Sequence, residues 1–325
     1  MHCDQTLSEL RDIIQRKLQD LANKTRPESL YEPIRYALAQ PGKQLRPILL
    51  LLCNEAVGGS LEDAVDAAAA IEVIHTFTLV HDDIMDHDEL RRGRQTVSRR
   101  WDENVAILAG DGLLVMGYER LAHLPPRHLP VLLRLYSRAI LEVCEGQALD
   151  KAFELRDAIS LPEYYEMIEK KTGRLFALAC EAGAILGNGN PAQVTACKKF
   201  GAALGRAFQL QDDLLDVIGD EQTLGKDVGS DLEEGKKTFL LTHARMHANP
   251  QQRQELDTLC SQHPLHEAAI REIIQLFDEL GTLAAAQHEI DACLTIASSQ
   301  LGFLPSSNAR QNLAQLLLKL ARRNH

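Results

Sequence analysis

A chain of 325 residues is long enough for one large hydrophobic core or two smaller ones. With 46 acidic against 35 basic side chains, a net charge of −11, it is suited neither to general nucleic-acid binding nor to an anionic membrane surface. Any anionic substrate must then be met by locally clustered Lys and Arg or by bound metal. The cysteines (Cys3, Cys53, Cys144, Cys180, Cys197, Cys260 and Cys293) are scattered, odd in number and never in C-x-x-C spacing. That pattern reads as reduced thiols in a cytoplasmic protein, with no disulfide frame and no zinc site. Charges at Asp4, Glu9, Arg11 and Asp12 argue against a signal-peptide core. No run approaches about 18 apolar residues, so no membrane span is expected.

From Thr6 to Leu21, residues Leu7, Leu10, Ile14, Leu18 and Leu21 recur every three or four positions, which predicts an amphipathic helix. Pro27 starts a second helix reaching Ala39, and Pro41-Gly42 stops it. After Gly42-Lys43-Gln-Leu-Arg46-Pro47 comes a strongly apolar helix, Ile48 to Ala56, ended by Gly58-Gly59. Ser60-x-x-Asp63 is a capping-type start for the helix that leads into three aspartates. Helices follow over Asp102–His123 and Leu129–Leu155. Ser160-Leu-Pro-Glu163 is a capping box opening another, Glu163–Leu186. Gly187 to Pro191 is a turn cluster, and the helical pattern then runs from Pro191 to Val217. A charged, glycine-containing segment, Gly219 to Lys237, precedes helices at Thr238–Met246, Leu265–Leu301 (with Gly281 as the candidate break) and Ser307–Arg323. There is no convincing strand or hairpin signal. The expectation is an all-α chain forming a single domain over residues 1–325. The helices after Pro250 carry no assignable motif and read as packing.

The most informative stretch is 75–94, where an apolar helix ends in Asp82-Asp83-x-x-Asp86 and then Arg91-Arg92-Gly93-Arg94. At about 100° per residue, His75, Thr78, Asp82, Asp86 and Glu89 fall within about 40° of Asp82, one polar stripe on an otherwise apolar helix. Carboxylates crowded this closely repel one another and resist burial unless a cation neutralises them. A lone D-D-x-x-D in so acidic a chain also arises as a solvated helix end. The spacing recurs, however, at Asp212, Asp213 and Asp216, again within apolar surroundings. Two such groups facing each other would form a pair of carboxylate jaws, and hard oxygen ligands suit Mg²⁺. His81 and His87 leave a transition metal as a lesser alternative.

Cations recur beside both groups: Lys43 and Arg46, then Arg91, Arg92 and Arg94, then Lys170-Lys171, and finally Lys226, Lys236 and Lys237. Singly each reads as a surface ion-pair partner. Together, carboxylates for metal and separate basic patches suit two polyphosphate groups, one held through Mg²⁺ and one directly. Neither G-x-x-x-x-G-K-[ST] nor G-x-G-x-x-G occurs, which argues against a nucleotide cradle.

Taken in order along nearly the whole chain, these motifs resemble the trans-isoprenyl diphosphate synthases, or polyprenyl synthetases. They are Gly42-Lys43-x-x-Arg46-Pro47, His75, Asp82-Asp83-x-x-Asp86 with Arg91-Arg92-Gly93, Lys171-Thr172, Phe208-Gln209-x-x-Asp212-Asp213-x-x-Asp216, Gly225-Lys226-Asp227 and Gly235-Lys236-Lys237-Thr238. The resemblance implies an isoprenoid-synthase-type helical bundle around a deep central cavity, working as a homodimer with several Mg²⁺ ions. It implies metal binding by Asp82, Asp86 and Asp212, with Asp83, Asp213 and Asp216 as further ligands or supports. Arg91, Lys171, Thr172, Gln209, Lys226 and Lys236 would hold an allylic diphosphate, and Lys43, Arg46, His75 and Arg92 isopentenyl diphosphate. The implied reaction is head-to-tail condensation of the two, with Thr172 and Gln209 stabilising the allylic cation.

Within the family an aromatic residue five positions before the first aspartate acts as the cavity floor, and Phe77 stands there beside the small Thr78. Ideal geometry alone would not choose it, since Phe77 lies about 140° round the helix from Asp82. With that residue, the resemblance points to a short product, farnesyl or geranylgeranyl diphosphate, with the twenty-carbon product preferred. Alternatives are a medium- or long-chain synthase and, more remotely, a class I terpene cyclase, in which Lys43 and Arg46 would have no task. A non-catalytic partner subunit would be expected to lack some of the aspartates or lysines, and all are present here.

Overall fold

The computed structural model describes residues 2–39, 42–219, 228–262 and 265–321, with side chains from Asp4 onward. The regular structure of the described chain is helical except for a two-residue antiparallel hairpin, Leu90–Arg91 (β1) with Arg94–Gln95 (β2), which the sequence pattern did not announce. It divides into two compact units, each assembled from separate stretches of sequence.

The first unit comprises residues 1–138, 175–201 and 300–316. It contains helices α1 (His2–Leu21), α2 (Glu28–Leu38), α3 (Leu45–Ala56), α4 (Leu61–Met85), α5 (Val97–Arg100) and α6 (Glu103–Leu121). Leu7, Leu10, Ile14, Leu18 and Leu21 of α1 are all buried, as their spacing predicted. The core element is α4. Ala67 to Ala70, Ile71, Val73 and Ile74 are completely buried, so this helix is apolar all round because protein surrounds it on every side. By length and composition α4 would also cross a membrane, but 67% of its most apolar stretch is buried inside the protein and it runs into aspartates. It is a core helix. Ser60 caps its start by accepting from Glu62 N–H.

The second unit comprises residues 139–174, 202–299 and 317–325. Its core gathers Phe153, Tyr164, Leu210, Leu214, Phe239, Ile273, Phe277 and Ile290. The break at Gly281 is present: the helices are Glu267–Glu279 and Thr282–Gln300, with Gly281 at φ +68° between them. The single helix expected over 163–186 is not continuous. It consists of α8 (Leu161–Ile168), a π-helical turn over Glu169–Gly173, and α9 (Arg174–Leu186). The Ser160–Glu163 capping box is present in full at the start of α8.

Candidate active site

In the first unit the aspartate motif sits at the last turn of α4. The polar stripe does not extend to Glu89, because the helix ends at Met85 and Asp86 is its C-cap. His87 adopts a left-handed conformation (φ +55°), Asp88 N–H bonds to the Asp83 carbonyl, and His87 N–H bonds to that of Ile84. That is a Schellman ending built on a residue other than glycine. The turn points the chain into the β1–β2 hairpin and returns Arg91 onto the aspartates. Arg91 Nε bonds to Asp83 Oδ1, while its Nη2 lies 3.0 Å from Asp88 and 4.0 Å from Asp82. Asp83 is buried, and burial pushes its carboxyl up to about 6 against the pull of Arg91. Asp82 and Asp86 stand on the half-exposed side of the same turn.

Two turns further back along α4 the expected cationic cluster assembles. Arg46 Nη1 lies 3.0 Å from His75 Nε2. A guanidinium only donates, so the imidazole nitrogen is the acceptor and the ring is neutral. Burial pushes the His75 pKa well down, and Arg46, Arg92 and Arg91 push the same way. Arg46 also lies over the ring of Phe176, 4.4 Å from its centroid. Arg92 reaches Gly42: a Cβ there would stand 2.3 Å from Arg92 Nη2. The glycine of the Gly42-Lys43-x-x-Arg46 motif is therefore what admits the Arg92 guanidinium. Glu72, buried one turn before His75, is pushed up to about 7 by burial, which Arg46 and Arg92 partly offset. No residue pattern singles out Phe176 or Glu72, because only the fold brings them to Arg46.

In the second unit the other motif lies near the end of α10 (Pro191–Ile218). Asp213 is buried and accepts from Gln209 Nε2 (2.9 Å), the Tyr164 hydroxyl (2.7 Å) and Phe239 N–H (3.0 Å). Burial pushes it up to about 6. Thr172 donates to Gln209 Oε1 at 2.7 Å, so one chain of hydrogen bonds runs Thr172–Gln209–Asp213–Tyr164. Asp216 accepts from Ser230 Oγ and Asp231 N–H, tying α10 to the segment after residue 228. Asp212 is half-buried on the same turn. Lys171 lies in the π-helical turn and gives its ammonium to buried Asp150 on α7 (Leu129–Glu154), at 2.6 Å. A Cβ at Gly146 of α7 would stand 2.3 Å from Lys171 N, so that glycine is what lets the π turn pack down. Gly146 and Asp150 belong to a Gly-Gln-x-x-Asp run whose spacing in an acidic chain carried no signal of its own. Lys236 pairs with Glu234 (2.5 Å) and Asp231 (3.7 Å), and Lys237 bonds to the Gly235 carbonyl. Lys226 lies outside the described residues.

The floor candidate Phe77 is buried, 4.8 Å from the His81 ring at 67°. Thr78 bonds back to the His75 carbonyl at 2.8 Å.

Comparison with known proteins bears on this arrangement. The family model described as polyprenyl synthetase matches residues 27–277. The short chain isoprenyl diphosphate synthase of Methanothermobacter thermautotrophicus is 38% identical over 320 residues, 98% of this chain and 98% of that one. The geranylfarnesyl diphosphate synthase of Natronomonas pharaonis is 36% identical over 342 aligned residues, covering 100% and 98%. A crystal structure of geranylgeranyl pyrophosphate synthetase from Pyrococcus horikoshii superposes with a TM-score of 0.95 at 38% identity, covering 99% of this chain and 98% of that one.

Proposed function

The chain belongs to the polyprenyl synthetase family and is a short-chain prenyl diphosphate synthase with the all-α isoprenoid-synthase fold, and on that premise we propose the role of each site residue. The observation that carries the assignment is the convergence of Gly42, Arg46, His75 and Arg92 beside the aspartate turn in one unit. Two guanidinium groups converge there, with Lys43 next to Gly42, as a diphosphate requires. We assign this patch to isopentenyl diphosphate. His75, neutral and accepting from Arg46, contributes by orienting that guanidinium.

Arg91, Lys171, Thr172, Gln209, Lys226 and Lys236 are proposed to hold the allylic diphosphate. Lys171 is parked on Asp150, and Lys236 on Glu234 and Asp231, so an arriving diphosphate competes with those carboxylates for the two ammonium groups. The six motif aspartates divide by environment. Asp83, Asp213 and Asp216 are committed to Arg91, to Tyr164, Gln209 and Phe239, and to Ser230 and Asp231, which supports a bracing role. Asp82, Asp86 and Asp212 are half-buried, all-oxygen donors of the kind Mg²⁺ takes, and we assign them as its ligands. When bound, Mg²⁺ neutralises the negative charge of the allylic diphosphate as it departs.

In the proposed reaction the allylic C–O bond breaks and the isopentenyl double bond attacks the allylic carbon, forming the new C–C bond. A proton is then lost to the released pyrophosphate. Thr172 donates to Gln209, which leaves the Thr172 oxygen lone pairs to face developing positive charge. Apolar side chains around the prenyl tail exclude water that would trap the cation. Phe77 is proposed as the floor that stops growth near the twenty-carbon product.

We also propose a homodimer. Ile107, Leu108 and Val115 are exposed on one face of α6, as a second copy of this chain would cover. Sedimentation should give a dimer that Leu108→Glu dissociates; a monomeric wild type would rule it out. We also propose a cytoplasmic location, on the scattered, odd-numbered cysteines of the sequence. For the metal assignment, Asp82→Ala and Asp212→Ala should each fold as wild type, bind Mg²⁺ more weakly by calorimetry, and lose at least two orders of magnitude in condensation rate, about 3 kcal/mol of transition-state stabilisation. Wild-type rates in either folded variant would remove those residues from the mechanism.

A further inference from the structure

Phe77 does not stand on the row of α4 that carries Thr78 and Asp82. Helical geometry puts it within about 60° of Ala70, Ile74 and His81, and that row is the one packed on α6. A Cβ added at Gly117 of α6 would fall 2.6 Å from Ile74 Cγ1 and 3.5 Å from the Ala70 carbonyl. One added at Gly110 would fall 2.1 Å from His81 Nε2 and 2.3 Å from its Cδ2. Each glycine inside α6 costs helix stability relative to alanine. At Gly110 that cost is explained by one object, the imidazole of His81, which fills the space where a side chain would be.

The ring is fixed on its other sides as well. Nε2 lies 3.3 Å from the Ile107 carbonyl, and a carbonyl only accepts, so this nitrogen carries the proton and donates to α6. Asp111 Oδ1 stands 3.9 Å from the same nitrogen. The imidazole presents itself edge-to-face to Phe77, centroids 4.8 Å apart. The His81 ring that Phe77 meets is thus itself seated against Gly110 of α6.

We propose that His81, seated in the notch left by Gly110, is a positioning residue for product length: it holds the Phe77 ring as the floor of the prenyl site. It touches neither diphosphate nor the reacting carbons. This rests on the reading of Phe77 as the floor, and the test separates the two. Products formed from isopentenyl diphosphate and farnesyl diphosphate are sized by mass spectrometry for wild type, Phe77→Ala, His81→Ala and the double variant.

Phe77→Ala should shift the dominant product upward by at least one isoprene unit. His81→Ala should broaden the distribution in the same direction, because the ring it braced is free to turn aside. The double variant should match Phe77→Ala alone, since His81 acts only through Phe77. A general loss of stability would slow all products without changing their ratio. If His81→Ala does not fold, Gly110→Ala supplies the same displacement from the α6 side and should give the same broadening. Wild-type ratios in a folded His81 or Gly110 variant would overturn the inference while leaving Phe77 as floor. Further lengthening in the double variant, beyond Phe77→Ala, would also overturn it. Unchanged products in Phe77→Ala would remove the floor and the inference together, and a wild type forming no prenyl product would instead contradict the functional reading itself.

Discussion

Asp83 and Asp213 occupy the second position of their motifs and are both buried and braced, one by Arg91, the other by Tyr164, Gln209 and the Phe239 amide. Buried carboxylates survive only with such partners. The same rule makes Glu72 informative, because it is buried and its nearest charges, Arg46 and Arg92, only partly offset its desolvation. Its carboxyl stands at about 7 in the folded protein against an ordinary 4.5. A raised folded pKa means that the folded state binds the extra proton. Stability from this group is therefore fully present below about pH 4.5 and is lost as pH rises through 7. A shift of that size corresponds to roughly 3 kcal/mol. Glu72→Gln removes the titration. Denaturant unfolding of the variant, compared with wild type, should show a relative gain as pH goes from 4.5 to above 7. A constant difference across that range would mean that Glu72 does not titrate there.

At the scale of elements, the π-helical turn over Glu169–Gly173 is the feature that most depends on a distant neighbour. It places Lys171 against Asp150 and Thr172 against Gln209 while lying on Gly146 of α7. The atom that an added Cβ at Gly146 would meet is backbone nitrogen, which cannot swing aside. Gly146→Ala should therefore cost about 1–3 kcal/mol by overpacking and raise KM for the allylic substrate more than for isopentenyl diphosphate. Equal effects on both substrates would detach the turn from the allylic site. The aspartates, the basic motifs, Ser160's capping box and the break at Gly281 were legible because each is written in a few adjacent residues. Gly146, Asp150, Tyr164, Phe176 and Gly110 were not, since each matters only through a contact made by a segment remote in sequence. Helical periodicity likewise carried 163–186 as one helix, because a π turn inserts no residue type that periodicity would notice. It also carried the polar stripe on to Glu89, past the left-handed His87 where α4 ends.

For the whole molecule, the family match over 27–277 runs through both compact units. Of the proposed site residues, Arg46, His75, Asp82, Asp86, Arg91 and Arg92 belong to the first unit, and Lys171, Thr172, Gln209 and Asp212 to the second. With a net charge of −11, the protein must draw anionic substrates by these local clusters and by metal, so activity is expected to vanish on chelation and return with Mg²⁺. The most direct measurement is incubation of the full-length protein with isopentenyl diphosphate and dimethylallyl, geranyl or farnesyl diphosphate, with and without Mg²⁺, and mass spectrometry of the products. Mg²⁺-dependent growth in isoprene steps, ending at a short all-trans diphosphate with the twenty-carbon product dominant, is the predicted result. Cyclised hydrocarbon from the allylic diphosphate alone, or elongation unaffected by removal of divalent metal, would contradict it.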